Sequence, residues 1–277
     1  MPPLRPSDRD EVVEVSRLRA RGGQVEEHAD ELAVEAPLEI RVEGVPLAVV
    51  MRTPGEDEAL VRGFLQSEGI VARPEDILRV RHCDRVEDPD AEDNVMEVRL
   101  APALGIDLAR FRRNLYATSS CGVCGKASIE RALETAPPFA CEPAPRCLPL
   151  AIVTSLPERL GPRQSVFLRT GGLHAAALVD ATGEIECVYE DVGRHNAVDK
   201  VIGATPLDAR RAGASLLVSG RVSFEVVQKA LAARVQRIIA VSAPTSLAVD
   251  LARRANMSLV AFVRGDNASV YAGELGD

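Results

Sequence analysis

The sequence lacks an excess of positive charge, a long apolar run and an apolar leader. Lysine and arginine number 33 against 41 acidic residues, for a net charge of −8. Because binding to bulk nucleic acid draws on clustered Lys and Arg, we expect no nucleic-acid partner. No stretch approaches the roughly 18 uninterrupted apolar residues of a membrane span, and the first residues lack the apolar core of a signal peptide. These absences predict a cytoplasmic protein without a membrane partner.

The composition is that of a globular protein with a sizeable core. Hydrophobic residues make up 46% and charged residues 27% of the 277 residues. A chain of this length can bury enough apolar surface to fold without a metal or disulfides, so we expect no intrinsic metal. In the cytoplasm its cysteines should be reduced thiols. There are six of them: Cys83, Cys121, Cys124, Cys141, Cys147 and Cys187.

Apolar spacing and turn residues divide the chain into three parts. Residues 38–42 and 47–51 are typical of a hairpin and residues 56–68 of a helix, while 12–18 can form a short edge strand. The predicted parts are a flexible or edge-strand segment (1–32), a smaller α+β domain (33–113) and an α/β domain that carries the Cys-x-x-Cys loop (114–277).

Strands and helices alternate in the C-terminal half, which predicts a mostly parallel sheet with helices on both faces. Strands are predicted at 216–219 and 238–242, where the apolar runs 216–218 and 238–241 are typical of strands buried on both sides. Residues 165–170 are also predicted to be a strand. The five prolines between Pro137 and Pro149 predict a stretch without regular helix or strand. The other predicted elements are strands at 175–179, 259–263 and 268–271, and helices at 126–135, 192–202, 223–233 and 246–255.

The most informative motif is the pair Cys121-x-x-Cys124, which is flanked by glycines and followed by helical spacing. At a helix N-terminus, free backbone N–H groups and the positive end of the helix dipole stabilise a thiolate. A thiolate is the nucleophile that attacks a sulfur donor, and the attack leaves a persulfide. Its partner thiol can then release or protect the outer sulfur. The motif therefore favours sulfur chemistry in a cytoplasmic protein.

Three other interpretations of the cysteine pair stay open. A structural zinc site needs two more ligands, and Cys141 and Cys147 are poorly spaced to supply them. A thioredoxin-like dithiol would follow the first strand of a small βαβ domain, whereas this pair lies in the middle of the chain. An inert buried pair agrees poorly with the flanking glycines.

Two polar clusters in the C-terminal half are candidates for a binding site. His174 follows the glycine pair that ends with Gly172, but Ala176 stands where a zinc deaminase has its glutamate, which disfavours that reaction. Residues 190–200 place His195 and Asp199 on one helix face, so the carboxylate can orient the imidazole. In the same cluster Arg194 and Lys200 are suited to phosphate oxygens. The alternatives are a buried core histidine and a solvated helix with internal ion pairs.

Two strand-to-turn segments complete the candidate residues. Ser219 and the Gly-Arg pair after it follow a strand and open a helix, where backbone N–H groups meet anions in parallel sheets. The last segment combines a strand end, a cation and a tight turn, and by itself it favours an ordinary hairpin turn. It consists of Phe262, Val263, Arg264, Gly265, Asp266 and Asn267.

Taken together and in order, these motifs resemble the FdhD family of formate dehydrogenase accessory sulfurtransferases. The resemblance runs from about residue 35 to the C-terminus. The matching segments are 51–55, 63–65, 67–69, 119–125, 170–174, 191–196, 199–200, 219–221 and 262–267.

The resemblance implies a cytoplasmic homodimer whose larger domain is a cytidine-deaminase-like α/β/α sandwich beside a smaller N-terminal α+β domain. It implies that sulfur arrives from a cysteine desulfurase and passes to the bis-molybdopterin guanine dinucleotide cofactor of formate dehydrogenase. By position, Cys121 is the persulfide cysteine, Cys124 its companion, and 262–267 the cofactor-binding segment, although some members have a Cys-Lys-Pro-Gly-Arg-like run there. Our own inference adds further cofactor-binding residues: Gly172, His174, Arg194, His195 and Ser219.

Two other classes of function remain to be tested. One is a non-catalytic chaperone that binds and delivers the molybdenum cofactor while the cysteines are incidental. The other is a zinc-binding redox or deaminase-like enzyme, which would carry stoichiometric zinc.

Overall fold

The computed structural model describes residues 10–83, 93–104, 125–140, 146–211 and 213–276, and these form a mixed α/β fold. The strands are β1 (Val12–Arg21), β2 (Gln24–Ala33), β3 (Ala36–Val42), β4 (Val45–Arg52), β5 (Ile77–His82), β6 (Val95–Leu100), β7 (Arg146–Pro149), β8 (His174–Val179), β9 (Ile185–Asp191), β10 (Ser215–Val218), β11 (Arg237–Ala240), β12 (Ser258–Arg264), β13 (Asn267–Ala272) and β14 (Glu274–Gly276). The helices are α1 (Asp57–Ser67), α2 (Gly125–Thr135), α3 (Leu150–Leu160), α4 (Ser165–Thr170), α5 (Arg194–Ala204), α6 (Leu207–Arg211), α7 (Phe224–Ala232) and α8 (Ser246–Arg254).

The N-terminal segment forms a long antiparallel hairpin of β1 and β2 that turns at Gly22 and Gly23. The predicted strand at 12–18 is confirmed and is longer than expected. Its partner β2 was missed because its sequence is mostly polar and its side chains are mostly exposed, so no apolar alternation marks it.

A four-stranded sheet in the order β4-β3-β6-β5 and helix α1 form the N-terminal α+β part. Inward residues of β3 alternate with outward ones, as expected for a sheet with one buried face. The apolar face of α1 packs on that sheet through Leu60, Val61, Phe64 and Leu65. The predicted hairpin at 38–42 and 47–51 and the helix at 56–68 are confirmed.

The larger sheet has six strands in the order β13-β12-β11-β10-β8-β9. Its strand pairings are parallel between β10, β11 and β12 and antiparallel at the other three contacts. The sheet was predicted to be mostly parallel, and this was wrong because antiparallel pairings outnumber the parallel ones. Short connections join β8 to β9 and β12 to β13, and a short connection returns the chain antiparallel.

Helices cover both faces of the six-stranded sheet, as predicted. One face packs against α2, α5, α7 and α8, and the other packs mainly against α3. Successive residues of β10 divide between the two cores, with Leu216 and Val218 in one and Leu217 in the other. This explains why the strand is a continuous apolar run. The cytidine-deaminase-like layering and the domain boundaries at 32/33 and 113/114 stay predictions.

Two local predictions are wrong. Residues 165–170 form helix α4, because the Glu190 carboxylate accepts hydrogen bonds from the backbone N–H groups of Val166 and Phe167 at 2.9 and 2.8 Å. The proline-rich stretch ends in strand β7, which pairs in parallel with β14, and α3 follows directly. Pro149 lies at the end of the strand and before the helix, where its missing N–H is tolerated.

The two parts of the chain meet where α1 crosses α5. A Cβ placed on Gly63 would lie 1.8 Å from the carbonyl oxygen of Asp199, and one on Gly203 would lie 1.9 Å from that of Ala59. The helices can approach this closely only because both positions are glycine. Within the described ranges, no helix combines the length and the apolar character that a membrane crossing requires.

Candidate functional site

The polar segments identified in the sequence meet at one end of the six-stranded sheet, here called the carboxyl edge. It is the end at which the parallel strands β10, β11 and β12 finish. Strand β8 begins there and β9 ends there, since Ala176 pairs with Val218 and His174 pairs with Asp191. Ligands of α/β sheets bind beyond the carboxyl ends of parallel strands, so topology alone makes this edge the first candidate site.

Three helices begin at the carboxyl edge. Their N-cap residues are Gly193 for α5, Ser223 for α7 and Thr245 for α8. The Thr245 hydroxyl oxygen accepts a hydrogen bond from the Ala248 N–H at 3.3 Å. Unsatisfied N–H groups and the positive ends of three helix dipoles make this edge favourable for a negatively charged ligand.

A cationic cluster lies around Gly220, between β10 and α7. A Cβ at this position would lie 3.3 Å from His174 Nδ1 and 3.5 Å from Arg194 Cβ, so glycine permits these side chains to approach. Burial lowers the pKa of His174, and the nearby Arg194 and Arg221 guanidiniums lower it further. The Arg194 Nε atom is buried without a hydrogen-bond partner among the described residues. A buried guanidinium N–H that lacks an acceptor is suited to an anionic ligand.

Ser219 and Gly172 support the backbone at this edge. The Ser219 hydroxyl oxygen accepts a hydrogen bond from the Ala175 N–H at 2.9 Å, and the Ser219 N–H donates to the Ala175 carbonyl at 3.0 Å. These bonds join the end of β10 to the start of β8. Gly172 is exposed in the turn before His174, and its N–H donates to Thr170 Oγ1 at 3.2 Å.

His195 lies in the first turn of α5 and faces the start of α7. Its Nε2 atom is 3.1 Å from Ser223 Oγ and 4.0 Å from a Glu225 carboxylate oxygen. Burial, with the Arg194 and Lys229 charges nearby, lowers the pKa of His195 to about 4. The imidazole is therefore neutral at physiological pH and can donate or accept a hydrogen bond at the carboxyl edge.

This low pKa predicts a pH dependence of stability that His195 controls. An unfolded chain binds a proton at this histidine below about pH 6.5, whereas the folded chain binds it only near pH 4. The free energy of unfolding should therefore fall as the pH is lowered through this window. Urea unfolding at about pH 7 and pH 5 should show that His195→Asn loses about 1 kcal/mol less than the parent, after allowance for water at a partly exposed ring. Equal losses would contradict this assignment.

The predicted pairing of Asp199 with His195 was wrong. Asp199 is buried, and its carboxylate accepts hydrogen bonds from Ser67 Oγ at 2.6 Å and from Lys229 Nζ at 2.9 and 3.1 Å. Burial raises the pKa of Asp199 to about 6, so it is ionised at neutral pH. Spacing along the helix placed the two residues on one face but could not reveal the lysine on α7, because that contact is long-range.

Lys200 is also structural and does not face the carboxyl edge as a free cation. Its ammonium lies 2.9 Å from the Asp191 carboxylate and donates to the carbonyls of Thr53 and Glu190 at 3.1 Å. Asp191 accepts from the Thr53 and Gly193 N–H groups at 3.3 and 2.8 Å. This buried pair holds the turn after β4 against the start of α5, which explains the polar density of both segments.

The segment 262–267 spans the end of β12 and its hairpin to β13. Phe262 has a φ of 54°, its N–H donates to the Ser242 carbonyl at 3.2 Å, and the residue is 47% exposed. Val263 is buried in the core, so only its backbone can contact a ligand. The remaining residues are exposed around the turn and share the carboxyl edge, two strands or about 10 Å from β10. They are Arg264, Gly265, Asp266 and Asn267.

Cys121 and Cys124 lie outside the described residues. The helix predicted to follow them is confirmed as α2, which begins at Gly125 and contributes Ile129 and Ala132 to the core on one face of the large sheet. Among the described residues, no group of three or more His, Cys, Asp or Glu side chains is arranged to hold a metal ion. The sequence analysis missed the partners of His195 and Asp199, which are Ser223, Glu225 and Lys229. Of these, only Ser223 could have been found from the sequence, as the N-cap of a predicted helix.

Comparison with known proteins decides the family. The model of the FdhD/NarQ family matches residues 33–275. The chain belongs to the FdhD/NarQ family. Proteins named sulfur carrier protein FdhD are 49% identical over 260 residues in Streptomyces coelicolor and 51% identical over 254 residues in Mycobacterium tuberculosis. The alignments cover 92% of both chains in the first case, and 90% of this chain and 92% of the relative in the second.

The fold agrees with this FdhD/NarQ membership. A crystal structure of a candidate formate dehydrogenase accessory protein from Desulfotalea psychrophila superposes with a TM-score of 0.74. It covers 95% of this chain and 97% of that one at 23% identity, which shows a shared fold. A third relative, the sulfur carrier protein FdhD of Anaeromyxobacter dehalogenans, is 50% identical over 273 residues, which cover 94% of this chain and 92% of the relative. The resemblance inferred from the ordered motifs is confirmed.

Proposed function

We propose that this protein is a cytoplasmic sulfurtransferase that carries sulfur as a persulfide on Cys121. It takes the sulfur from a cysteine desulfurase and passes it to the bis-molybdopterin guanine dinucleotide cofactor that formate dehydrogenase requires. The observation that carries the proposal is about 50% identity over nearly the whole chain to relatives named sulfur carrier proteins. The Cys121-x-x-Cys124 motif falls within the residues matched by the family model.

The first step is an exchange between sulfur atoms. The Cys121 thiolate attacks the outer sulfur of the desulfurase persulfide, the sulfur–sulfur bond of that persulfide breaks, and the desulfurase cysteine leaves as a thiolate. Cys121 then carries the sulfur with no net oxidation. In a second step Cys124 can attack Cys121, which forms a Cys121–Cys124 disulfide and releases the outer sulfur as hydrosulfide. A cellular dithiol would then reduce the disulfide.

The carboxyl edge supplies the chemistry that an anionic dinucleotide substrate needs. Three helix N-termini and the exposed Arg264 present N–H groups and positive charge, and Arg194 adds a guanidinium whose Nε has no partner among the described residues. Gly220 leaves room between His174 and Arg194. Phe262, at the end of β12 on the same edge of the sheet, offers an exposed ring on which a planar base can stack. These features support the predicted roles of Gly172, His174, Arg194, His195, Ser219 and residues 262–267 in binding the molybdenum cofactor.

The proposal includes two further features of the family resemblance. One is a homodimer, which sedimentation of the purified protein tests directly. The other is a functional partnership with a formate dehydrogenase, to which the chain delivers sulfur or sulfurated cofactor.

Reconstitution with purified components tests the transfer. The chain is incubated with a cysteine desulfurase and cysteine, separated from both, and added to formate dehydrogenase from cells that lack an accessory protein. The same chain without sulfur loading is the control. Transfer predicts activation by the loaded chain alone, and activation should cease after about one sulfur per Cys121 is consumed. Equal activation by loaded and unloaded chains would contradict transfer and favour a cofactor-binding chaperone.

A further inference from the structure

His195 contacts two groups of helix α7 through the same ring nitrogen. Its Nε2 atom lies 3.1 Å from Ser223 Oγ and 4.0 Å from Glu225 Oε2. The side chain is 33% exposed, so a ligand at the carboxyl edge can reach the ring. The other ring nitrogen, Nδ1, has no hydrogen-bond partner in the described part of the chain. A neutral imidazole carries a proton on one nitrogen and a lone pair on the other, so the surroundings of Nε2 decide what Nδ1 offers to a ligand.

Glu225 sets the direction of the Ser223 hydroxyl. Although burial by itself raises the pKa of Glu225, the hydrogen bond from the Ser223 hydroxyl contributes to a net lowering. The carboxylate is therefore ionised at neutral pH and only accepts hydrogen bonds. Because a hydroxyl has a single hydrogen, Ser223 donates it to Glu225, and Ser223 Oγ presents a lone pair to His195.

Both neighbours favour a proton on Nε2 of His195. The Ser223 lone pair accepts from an Nε2–H donor at 3.1 Å, and the negative charge of Glu225 at 4.0 Å stabilises that N–H. We propose that Ser223 and Glu225 are positioning residues that hold His195 as the Nε2–H tautomer. Nδ1 then accepts a hydrogen bond from an N–H or O–H group of the bound cofactor. That the bound molecule is a molybdenum cofactor rests on the proposed function.

An acceptor complements the other groups at the carboxyl edge, which are mostly hydrogen-bond donors. The starts of α5, α7 and α8 and the Arg194 guanidinium suit phosphate oxygens. The bases and sugars of a dinucleotide cofactor also carry N–H and O–H groups, and these require an acceptor. Burial first, and then the Arg194 and Lys229 charges, lower the pKa of His195 to about 4, so it takes up no proton at neutral pH. His195 therefore orients the cofactor and is not a general base.

Nitrogen NMR of the full chain with isotope-labelled histidine measures the tautomer at neutral pH. His195→Asn identifies the signals of this residue among the four histidines. The parent chain should show a single Nε2–H tautomer, and Ser223→Ala and Glu225→Ala should each shift it toward a mixture. Two controls should keep the parent tautomer: Ser223→Thr retains the hydroxyl, and Glu158→Ala removes an exposed carboxylate on α3. An Nδ1–H tautomer in the parent, or an unchanged tautomer in both alanine variants at α7, overturns the positioning role.

Activation of formate dehydrogenase by the sulfur-loaded chain tests the acceptor. A glutamine side chain can place an amide nitrogen near the position of Nε2 but has no atom near that of Nδ1, whereas asparagine can place its amide oxygen there. His195→Gln should activate about tenfold more slowly than the parent, the expected cost of one hydrogen bond, and His195→Asn should retain more of the rate. Equal rates in His195→Gln and the parent overturn the acceptor role, as does a larger loss in His195→Asn.

Sulfur loading separates this inference from the proposed function. Loading of Cys121 comes before transfer to the cofactor and should be unchanged in all of these variants. A parent chain that takes up no sulfur would contradict the proposed function, yet its NMR signals would still decide the tautomer of His195. Normal loading with an unchanged tautomer in both alanine variants would overturn only the positioning role of Ser223 and Glu225.

Discussion

A chain with Cys121→Ala is expected to lose all ability to activate formate dehydrogenase in cells. Alanine has no nucleophilic atom, so the variant cannot form the covalent persulfide at this position, and we expect no neighbouring residue to take over that role. The measurement is formate dehydrogenase activity in cells that lack their own accessory protein and express either the variant or the parent chain. The expected difference is a full loss and not a partial one.

Cys187→Ala is the matched control for that loss. The Cys187 thiol lies on β9, partly buried, and burial raises its pKa, so it is a poor nucleophile at neutral pH. Activation should remain close to that of the parent chain. Full activation by Cys121→Ala would remove the persulfide from the mechanism, whereas equal losses in both variants would point to misfolding.

Replacing Lys229 with methionine is expected to lower the free energy of unfolding by about 3–5 kcal/mol. Lys229 is buried, and its ammonium contacts Ser67 Oγ at 2.9 Å, Glu68 Oε1 at 2.8 Å and both Asp199 oxygens. Although burial alone lowers the pKa of Lys229, Asp199 and Glu68 together raise it above the usual value for lysine. Methionine fills similar space but leaves the Asp199 carboxylate buried without its countercharge. Urea unfolding at neutral pH measures the effect.

Two further variants separate the charge from the packing. Adding Asp199→Asn to Lys229→Met removes the second buried charge, so most of the lost stability should return. Arg62→Met on α1 breaks a partly exposed pair with Glu58 and a 3.3 Å hydrogen bond to the Ile77 carbonyl, and it should cost only about 1 kcal/mol. A loss of less than about 1 kcal/mol in Lys229→Met alone would show that this network is not what joins α1, α5 and α7.

Local sequence patterns predicted the helices and strands whose buried positions follow a regular spacing along the chain. The apolar residues 216–218 and 238–240 lie in strands because each packs in one of two cores, so every one of these positions must be apolar. Helix α1 followed from its apolar spacing. In contrast, α4 depends on the Glu190 carboxylate, 24 residues from Val166, and no local pattern carries that information.

The candidate site shows the same division. His174, Arg194 and Ser219 were found because each lies in a strand-to-helix or turn segment rich in glycine and polar residues. Their meeting at one edge required the sheet order, which the sequence did not contain. The predicted partners of Asp199 and Lys200 were wrong for that reason.

The most direct test of the central claim is the mass of the chain after incubation with a cysteine desulfurase and cysteine. The account predicts a gain of about 32 Da, one sulfur atom, located on the peptide that contains Cys121 and reversed by a dithiol. The gain should be absent in Cys121→Ala and present in Cys187→Ala. An unmodified Cys121 in the parent chain, under conditions where the desulfurase turns over, would contradict sulfur transfer through this residue.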